Sequence, residues 1–65
     1  MQAYRLYHVA EGGRLRLGDA FQAADDALAI EKARLLRLSG SAAELWQEGR
    51  IVGRFSKSGG YAPAR

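Results

Sequence analysis

The residues of this chain that could carry chemistry are few and lie far apart in the sequence. The one histidine, His8, falls inside a strand-like segment, and the chain has no cysteine. A zinc site needs several nitrogen or sulfur ligands at set spacings, so we expect no metal and no cofactor. A catalytic histidine needs a nucleophile close by, yet the serines fall in a helix-ending turn and a glycine-rich tail. We therefore expect a non-enzymatic protein.

Two adjacent carboxylates, Asp25 and Asp26, precede a run of good helix formers. Paired carboxylates can act as general acid and base, but at a helix start one normally caps free N–H groups and the other favours the helix dipole. We predict the capping role. The glycine pairs at 12–13 and 59–60 lack the strand, helix and lysine of a phosphate-binding loop, and we predict a turn and a tail.

The chain is mildly basic, with ten lysines and arginines, seven acids and a formal net charge of +3. Cations on the predicted hairpins and tail could form a stripe that attracts phosphates, and Tyr4 or Tyr7 could stack on an unpaired base. Charged residues at a sheet edge also prevent unwanted strand addition, so nucleic-acid binding is the alternative hypothesis. Its candidate phosphate contacts are Arg14, Arg16, Arg50, Arg54 and Lys57.

These residues must be positioned by a very small domain. A chain of 65 residues with 48% hydrophobic residues is typical of one globular domain. Its longest apolar run, residues 27–30, is far shorter than the ~18 residues of a membrane span. Arg5 and His8 interrupt the N-terminal segment that would otherwise be considered as a signal peptide. We expect a cytoplasmic protein that does not associate with membranes.

Periodicity predicts two hairpins with one helix between them. The first hairpin consists of residues 4–9 and 14–17, and its second strand places Leu15 and Leu17 on one face and two arginines on the other. The strand pattern weakens at Gly18. The helix is predicted over residues 27–38, which contain neither glycine nor proline, and Asp25 is its expected cap.

The second hairpin is predicted over residues 42–46 and 51–55, with Gly49 at its corner. A two-residue turn would place Trp46 opposite Ile51, and it would put Phe55 on the same face as Trp46. The predicted fold is therefore α+β, a two-layer ββαββ domain with a four-stranded antiparallel sheet and one helix across one face. Residues 1–55 form this single domain, and residues 56–65 are expected to be a flexible C-terminal tail.

The predicted helix has two apolar sides, and one helix can cover only one face of the sheet. We assign the side with Ala29 and Ala33 to the core, although the reverse assignment remains open. The surplus apolar surface favours a homodimer, with an unidentified protein as another partner; the alternative is a monomer that leaves isolated leucines exposed. Trp46 is expected to anchor the core or an interface. The candidate interface residues are Leu28, Leu35, Leu38, Trp46 and Ile51.

Three segments follow a recognisable pattern: Tyr4-x-x-Tyr7, Asp25-Asp26-Ala27 followed by Ala29 and Ala33, and Glu44-Leu45-Trp46-Gln47-x-Gly49-Arg50-x-Val52. On these segments, residues 4–55 resemble a group of short uncharacterised bacterial proteins, mainly from alphaproteobacteria. The resemblance implies a stand-alone ββαββ domain and carries no catalytic residue or cofactor over to this chain. It also implies a local unit of Trp46 and Arg50, with the arginine beside the turn.

Overall fold

The computed structural model describes residues 1–37 and 40–64. The described elements, in chain order, are β1 (Gln2–Val9), a 3₁₀ turn (Glu11–Gly13), β2 (Leu15–Ala23), α1 (Asp26–Leu36), β3 (Ala43–Gln47), β4 (Arg50–Phe55) and β5 (Tyr61–Pro63). The strands form an antiparallel sheet in the order β2-β1-β3-β4-β5. This confirms the α+β class. None of the helices among the described residues combines the length and the apolar character needed to cross a membrane.

The core lies between α1 and one face of the sheet. Ala29 and Ala33 of α1 are fully buried, and their small side chains allow the helix to approach the strands closely. The alanine-bearing side therefore faces the sheet, as predicted. The other buried apolar side chains of this core are Tyr4, Leu6, Ala23, Ala43, Leu45, Val52 and Phe55.

The ends of α1 follow local capping rules. The Asp25 carboxylate accepts a hydrogen bond from the Leu28 backbone N–H at 2.9 Å, which confirms the predicted cap. At the other end, the N–H of Arg37 donates to the carbonyl of Ala33 at 2.9 Å. The helix therefore ends at Leu36, before the predicted limit of residue 38. Residues 38 and 39 lie outside the described part of the chain.

Strand β2 continues past Gly18, where the sequence pattern suggested an end. Leu6 lies opposite Asp19 and Tyr7 lies opposite Leu17, so Gly18 is an extra residue in a β-bulge. A side chain at Gly18 would overlap the imidazole of His8, which lies against this part of the strand. Only glycine fits this close approach.

The bulge at Gly18 determines which side chains of β2 face the helix. Without an extra residue, all odd-numbered side chains of β2 would lie on one face. With it, Phe21 and Ala23 pack against the core, whereas Leu15 and Leu17 lie on the opposite face of the sheet. The strict alternation at 14–17 is observed, but its leucines point away from α1.

The β3–β4 hairpin has the predicted turn at Glu48 and Gly49, and Trp46 lies opposite Ile51 as expected. A further bulge in β4 then shifts the register, so that Leu45 lies opposite Gly53. The shift turns Phe55 toward α1, where it is buried. The prediction that Phe55 shares a face with Trp46 is therefore wrong.

The fifth strand corrects the prediction of a four-stranded ββαββ sheet. The sequence predicts a flexible tail over residues 56–65, but Tyr61–Pro63 pairs with β4. The Tyr61 hydroxyl donates to the Val52 carbonyl at 3.2 Å, and its ring lies over Gly53. The Tyr61 and Phe55 ring centroids are 5.1 Å apart. This tyrosine therefore packs against the core and holds the edge strand in place.

Candidate functional site

The face of the sheet away from α1, hereafter the open face, carries a group of apolar side chains that no element of the described residues covers. Strand pairing brings its side chains together: Tyr7 lies opposite Leu17, and Trp46 lies opposite Ile51. Leu17 is 60% exposed. The apolar side chains of the open face are Tyr7, Val9, Leu15, Leu17, Trp46 and Ile51.

Two aromatic rings occupy the middle of the open face. The Tyr7 and Trp46 rings meet edge to face, with centroids 6.3 Å apart and an interplanar angle of 83°, a favourable geometry for an aromatic pair. The indole Nε1 of Trp46 donates to Glu44 Oε1 at 3.1 Å, and Glu44 Oε2 accepts from Arg54 Nε at 3.2 Å. The polar edge of the indole is thus satisfied within the chain, and its apolar surface remains on the face.

A depression lies at one end of the open face, beside the aromatic pair. Its volume is about 310 Å³, and it is lined by Ala3, Arg5, Tyr7 and Glu48. Within residues 1–37 and 40–64, neither the side chain of Arg5 nor that of Glu48 takes part in a hydrogen bond or an ion pair. The depression therefore combines an unpaired cation and an unpaired anion with an aromatic ring.

The structure separates the interface residues suggested by the sequence into two groups. Leu28 and Leu35 are 52% and 87% exposed on the outer side of α1. Trp46 and Ile51 are half-buried on the open face, on the opposite side of the sheet. Leu38 lies outside the described residues. The four described residues therefore do not form one contiguous surface.

The candidate phosphate contacts differ in whether they are paired within the chain. Arg14 directly precedes β2 and Arg16 lies within it, while Lys57 lies in the β4–β5 turn and lines the same depression as Gly12 and Gly13. Arg50 and Arg54 form ion pairs with carboxylates of their own chain, at 3.2 Å each. Two of the five candidates are therefore already paired with acids of their own chain, which leaves less uncompensated positive charge for a phosphate.

A separate polar cluster joins the start of α1 to the sheet. The Tyr4 hydroxyl donates to Asp26 Oδ1 at 2.7 Å, and Arg50 Nη2 lies 3.2 Å from both carboxylate oxygens. Burial and the bond to Asp26 raise the pKa of Tyr4 to about 12. The hydrogen bonds from Tyr4 and Arg50 lower the pKa of Asp26. Asp26 thus joins the start of α1 to strands β1 and β4, in addition to favouring the helix dipole.

The resemblance implies that Trp46 and Arg50 form a local unit, but their hydrogen bonds go to different partners. Arg50 donates to Gln47 Oε1 at 2.6 Å and to Asp26, whereas Trp46 donates to Glu44. The two residues Trp46 and Arg50 therefore belong to different groups. Arg50 connects the hairpin to the helix, and the indole belongs to the open face.

Replacing Asp26 with alanine is expected to lower the free energy of unfolding by about 2–3 kcal/mol, because it leaves the buried Tyr4 hydroxyl without its acceptor and removes the Arg50 ion pair. Asp25→Ala is the matched control, and loss of a helix cap costs about 1 kcal/mol. Urea unfolding followed by circular dichroism measures both. A loss for Asp26→Ala no greater than that of the control would contradict the anchoring role.

The pH dependence of stability follows from the same cluster. The pKa of Tyr4 is near its ordinary value of 10.0 in the unfolded chain but about 12 in the folded one. Its contribution to the free energy of unfolding is therefore complete below pH 10 and disappears as the pH rises toward 12. Burial also raises the pKa of Tyr61. The lowered pKa of Asp26 acts at the acidic end: its contribution is present above the ordinary value of 3.8 and is lost on further acidification.

The Tyr4→Phe variant tests this pH dependence, because it removes one of the two tyrosines whose pKa is raised and keeps the other, Tyr61. We expect its free energy of unfolding to fall less steeply with pH above 10 than that of the parent protein. Equal slopes in urea titrations at several alkaline pH values would argue against a raised pKa of Tyr4.

Among residues 1–37 and 40–64, no group of three histidine, aspartate or glutamate side chains is placed to hold a metal ion. Comparison with known proteins found no matching family model, no matching curated protein and no matching solved structure.

Proposed function

We propose that the protein is a small, non-enzymatic interaction module that self-associates by packing its open face against the open face of a second copy. The observation that carries this proposal is the apolar patch centred on Tyr7, Leu17 and Trp46, which lies on the uncovered side of a sheet whose other side already packs on α1. Antiparallel sheets often leave one face to water, but such faces are usually polar. An aromatic and aliphatic face is typical of a docking surface.

The size of the open face is sufficient for a reversible dimer. A sheet of this number of strands, spaced about 4.8 Å apart and about 20 Å long, has a flat area of about 480 Å² per copy. Two copies would bury about 1,000 Å² or more once side-chain relief is included, which is near the lower limit for a specific interface. We therefore expect a dimer that forms at micromolar or higher concentration.

The charge of the open face favours a second copy over a nucleic acid. Arg5 and Arg54 are balanced by Glu44 and Glu48, although the chain as a whole carries a net charge of +3. A nucleic acid is held mainly by uncompensated positive charge. Two neutral faces with apolar centres do not repel each other, so self-association is the better explanation of this composition.

The exposed leucines of α1 are the weaker candidate surface. Leu28 and Leu35 are two helical turns apart, about 10 Å along the axis, and the charged residues Glu31 and Lys32 lie between them. Single exposed leucines are common on monomeric proteins. The open face instead offers a contiguous patch with an aromatic pair, and we place the interface there.

Two observations support a non-enzymatic role. The Nδ1 atom of His8 is buried and has no hydrogen-bond partner among the described residues, whereas a general base needs an oriented imidazole within reach of its substrate. The hydroxyls of Ser56 and Ser58 lie 3.0 Å from each other, and Ser56 Oγ accepts from the Gly60 N–H. These serines organise the β4–β5 turn.

Sedimentation equilibrium over a range of protein concentrations tests the proposal, and Trp46 adds an optical probe because it is the only tryptophan. We expect a monomer–dimer equilibrium, with a blue shift of the indole emission over the same concentration range as the increase in mass. A monomer at every concentration would contradict the proposal. A monomer whose emission changes in a salt-sensitive manner with short oligonucleotides would contradict it in favour of nucleic-acid binding.

A further inference from the structure

We infer that Arg5 of each copy forms an ion pair with Glu48 of its partner across the two-fold axis of the dimer, so that these two residues determine its symmetry. The inference rests on the proposed self-association and adds to it a register and a pair of specificity-determining residues. It assigns a role to the depression lined by Ala3, Arg5, Tyr7 and Glu48.

Some charged side chains of the open face are paired within the chain, and others are not. Glu44 and Arg54 bond to each other at 3.2 Å, and Glu44 also accepts from Trp46. By contrast, the guanidinium of Arg5 and the carboxylate of Glu48 have no hydrogen bond or ion pair to any residue in the described ranges, although both line the same depression. These two charges are therefore available to a partner, whereas the other two already stabilise the position of the indole.

Two-fold symmetry makes such an arrangement self-complementary. In a two-fold interface, a contact from residue i to residue j is always repeated from j to i. Suppose that a cation and an anion are neighbours on one face and that the two-fold axis passes between them. The cation of each copy then faces the anion of the other copy, so two opposite-charge pairs form. The depression between Arg5 and Glu48 is the position that this axis would take.

This axis is consistent with the rest of the open face. Tyr7 lines the depression and contacts Trp46, so the aromatic pairs of both copies would lie near the centre of the interface, where aromatic residues contribute most to binding. Leu17, which is opposite Tyr7, would lie within the same buried area. Face-to-face sheets are about 10 Å apart, a gap that an arginine and a glutamate extended toward each other can span.

Reversal of the two charges, one at a time and together, tests the inference. Arg5→Glu and Glu48→Arg should each raise the dimer dissociation constant at least about tenfold, because each creates two like-charge contacts across the axis. The double variant restores opposite charges and should return the constant to within about threefold of the parent value. Arg14→Glu, on an exposed residue directly before β2, is the control and should have little effect.

Folding of each variant is checked by circular dichroism. Glu48 has φ of 54°, and arginine meets the same backbone demand as glutamate there, so Glu48→Arg should not disturb the turn.

The outcome distinguishes this inference from the proposed function. Loss of dimer in both single variants with recovery in the double variant would support the reciprocal pairs. Unchanged dissociation constants in all three, in a protein that still dimerises and is dissociated by Leu17→Asp, would overturn the pairing and leave the open-face interface intact. A parent protein that does not dimerise at all would overturn both.

Discussion

Replacing Leu45 with alanine is expected to lower the free energy of unfolding by about 2–5 kcal/mol, which is comparable to the whole stability of a domain of this size. Leu45 is completely buried in β3 and belongs to the core between the sheet and α1. Its truncation removes apolar contacts and leaves a cavity that the strands on either side cannot close. Thermal and urea unfolding followed by circular dichroism would measure the loss.

Leu35→Ala is the matched control for this experiment. It makes the same chemical change at a leucine that is 87% exposed, so its effect should remain within about 0.5 kcal/mol. Losses of similar size in the two variants would mean that α1 buries a different side from the one described, and the placement of the core would be wrong.

Replacing Leu17 with aspartate is expected to raise the dimer dissociation constant at least about 100-fold, equivalent to about 2.7 kcal/mol. The dimer would bury this side chain in an apolar surface next to Tyr7, where an unpaired carboxylate loses its hydration without gaining a partner. The monomer should keep its fold, because Leu17 is 60% exposed and lies on the face away from the core.

The same substitution on the helix provides the control. Leu35→Asp places a carboxylate on the outer side of α1 and should leave the dissociation constant unchanged. Sedimentation equilibrium of both variants compares the two surfaces directly. Dissociation by Leu35→Asp without dissociation by Leu17→Asp would show that the dimer forms through the helix and that the open face is not the interface.

The elements with strong local signals could be predicted from the sequence. The Asp25 cap, the helical run and the turn at Glu48 and Gly49 depend on residues close together in the chain, and all three are observed. The pairing of Trp46 with Ile51 followed from the turn length alone. Such features need no knowledge of distant contacts.

The two bulges could not be predicted from local sequence patterns. Position 18 must be glycine because the imidazole of His8, on the neighbouring strand, occupies the space that a side chain would need. The shift that turns Phe55 toward the core likewise depends on how β4 packs under α1 and beside Tyr61. A one-residue insertion reverses the face of every following side chain, so a correct strand assignment still placed Phe55 on the wrong side.

Strand β5 has no recognisable sequence pattern, for a related reason. It has three residues, Tyr61–Pro63, which is too few for any alternation to be visible. Two glycines precede it, and its last residue is a proline. The ring of Tyr61 was the one available signal, because an aromatic residue in an otherwise small and polar segment gains stability only by packing. Its site is provided by Gly53 and Phe55.

The candidate site was predictable in part. Trp46 and Ile51 were identified as surplus apolar residues, and both lie on the open face. Leu17 was not identified, because the bulge at Gly18 decides its side of the sheet. The unpaired state of Arg5 and Glu48 depends on all the neighbouring side chains, and no sequence pattern contains that information.

The location of the interface on the open face is tested most directly by amide and indole NMR spectra recorded over a dilution series. We expect concentration-dependent shifts or broadening at Tyr7, Leu17 and the Trp46 indole, with the signals of Leu28 and Leu35 unchanged. Shifts confined to those two helical leucines, or spectra that do not change with concentration, would contradict it.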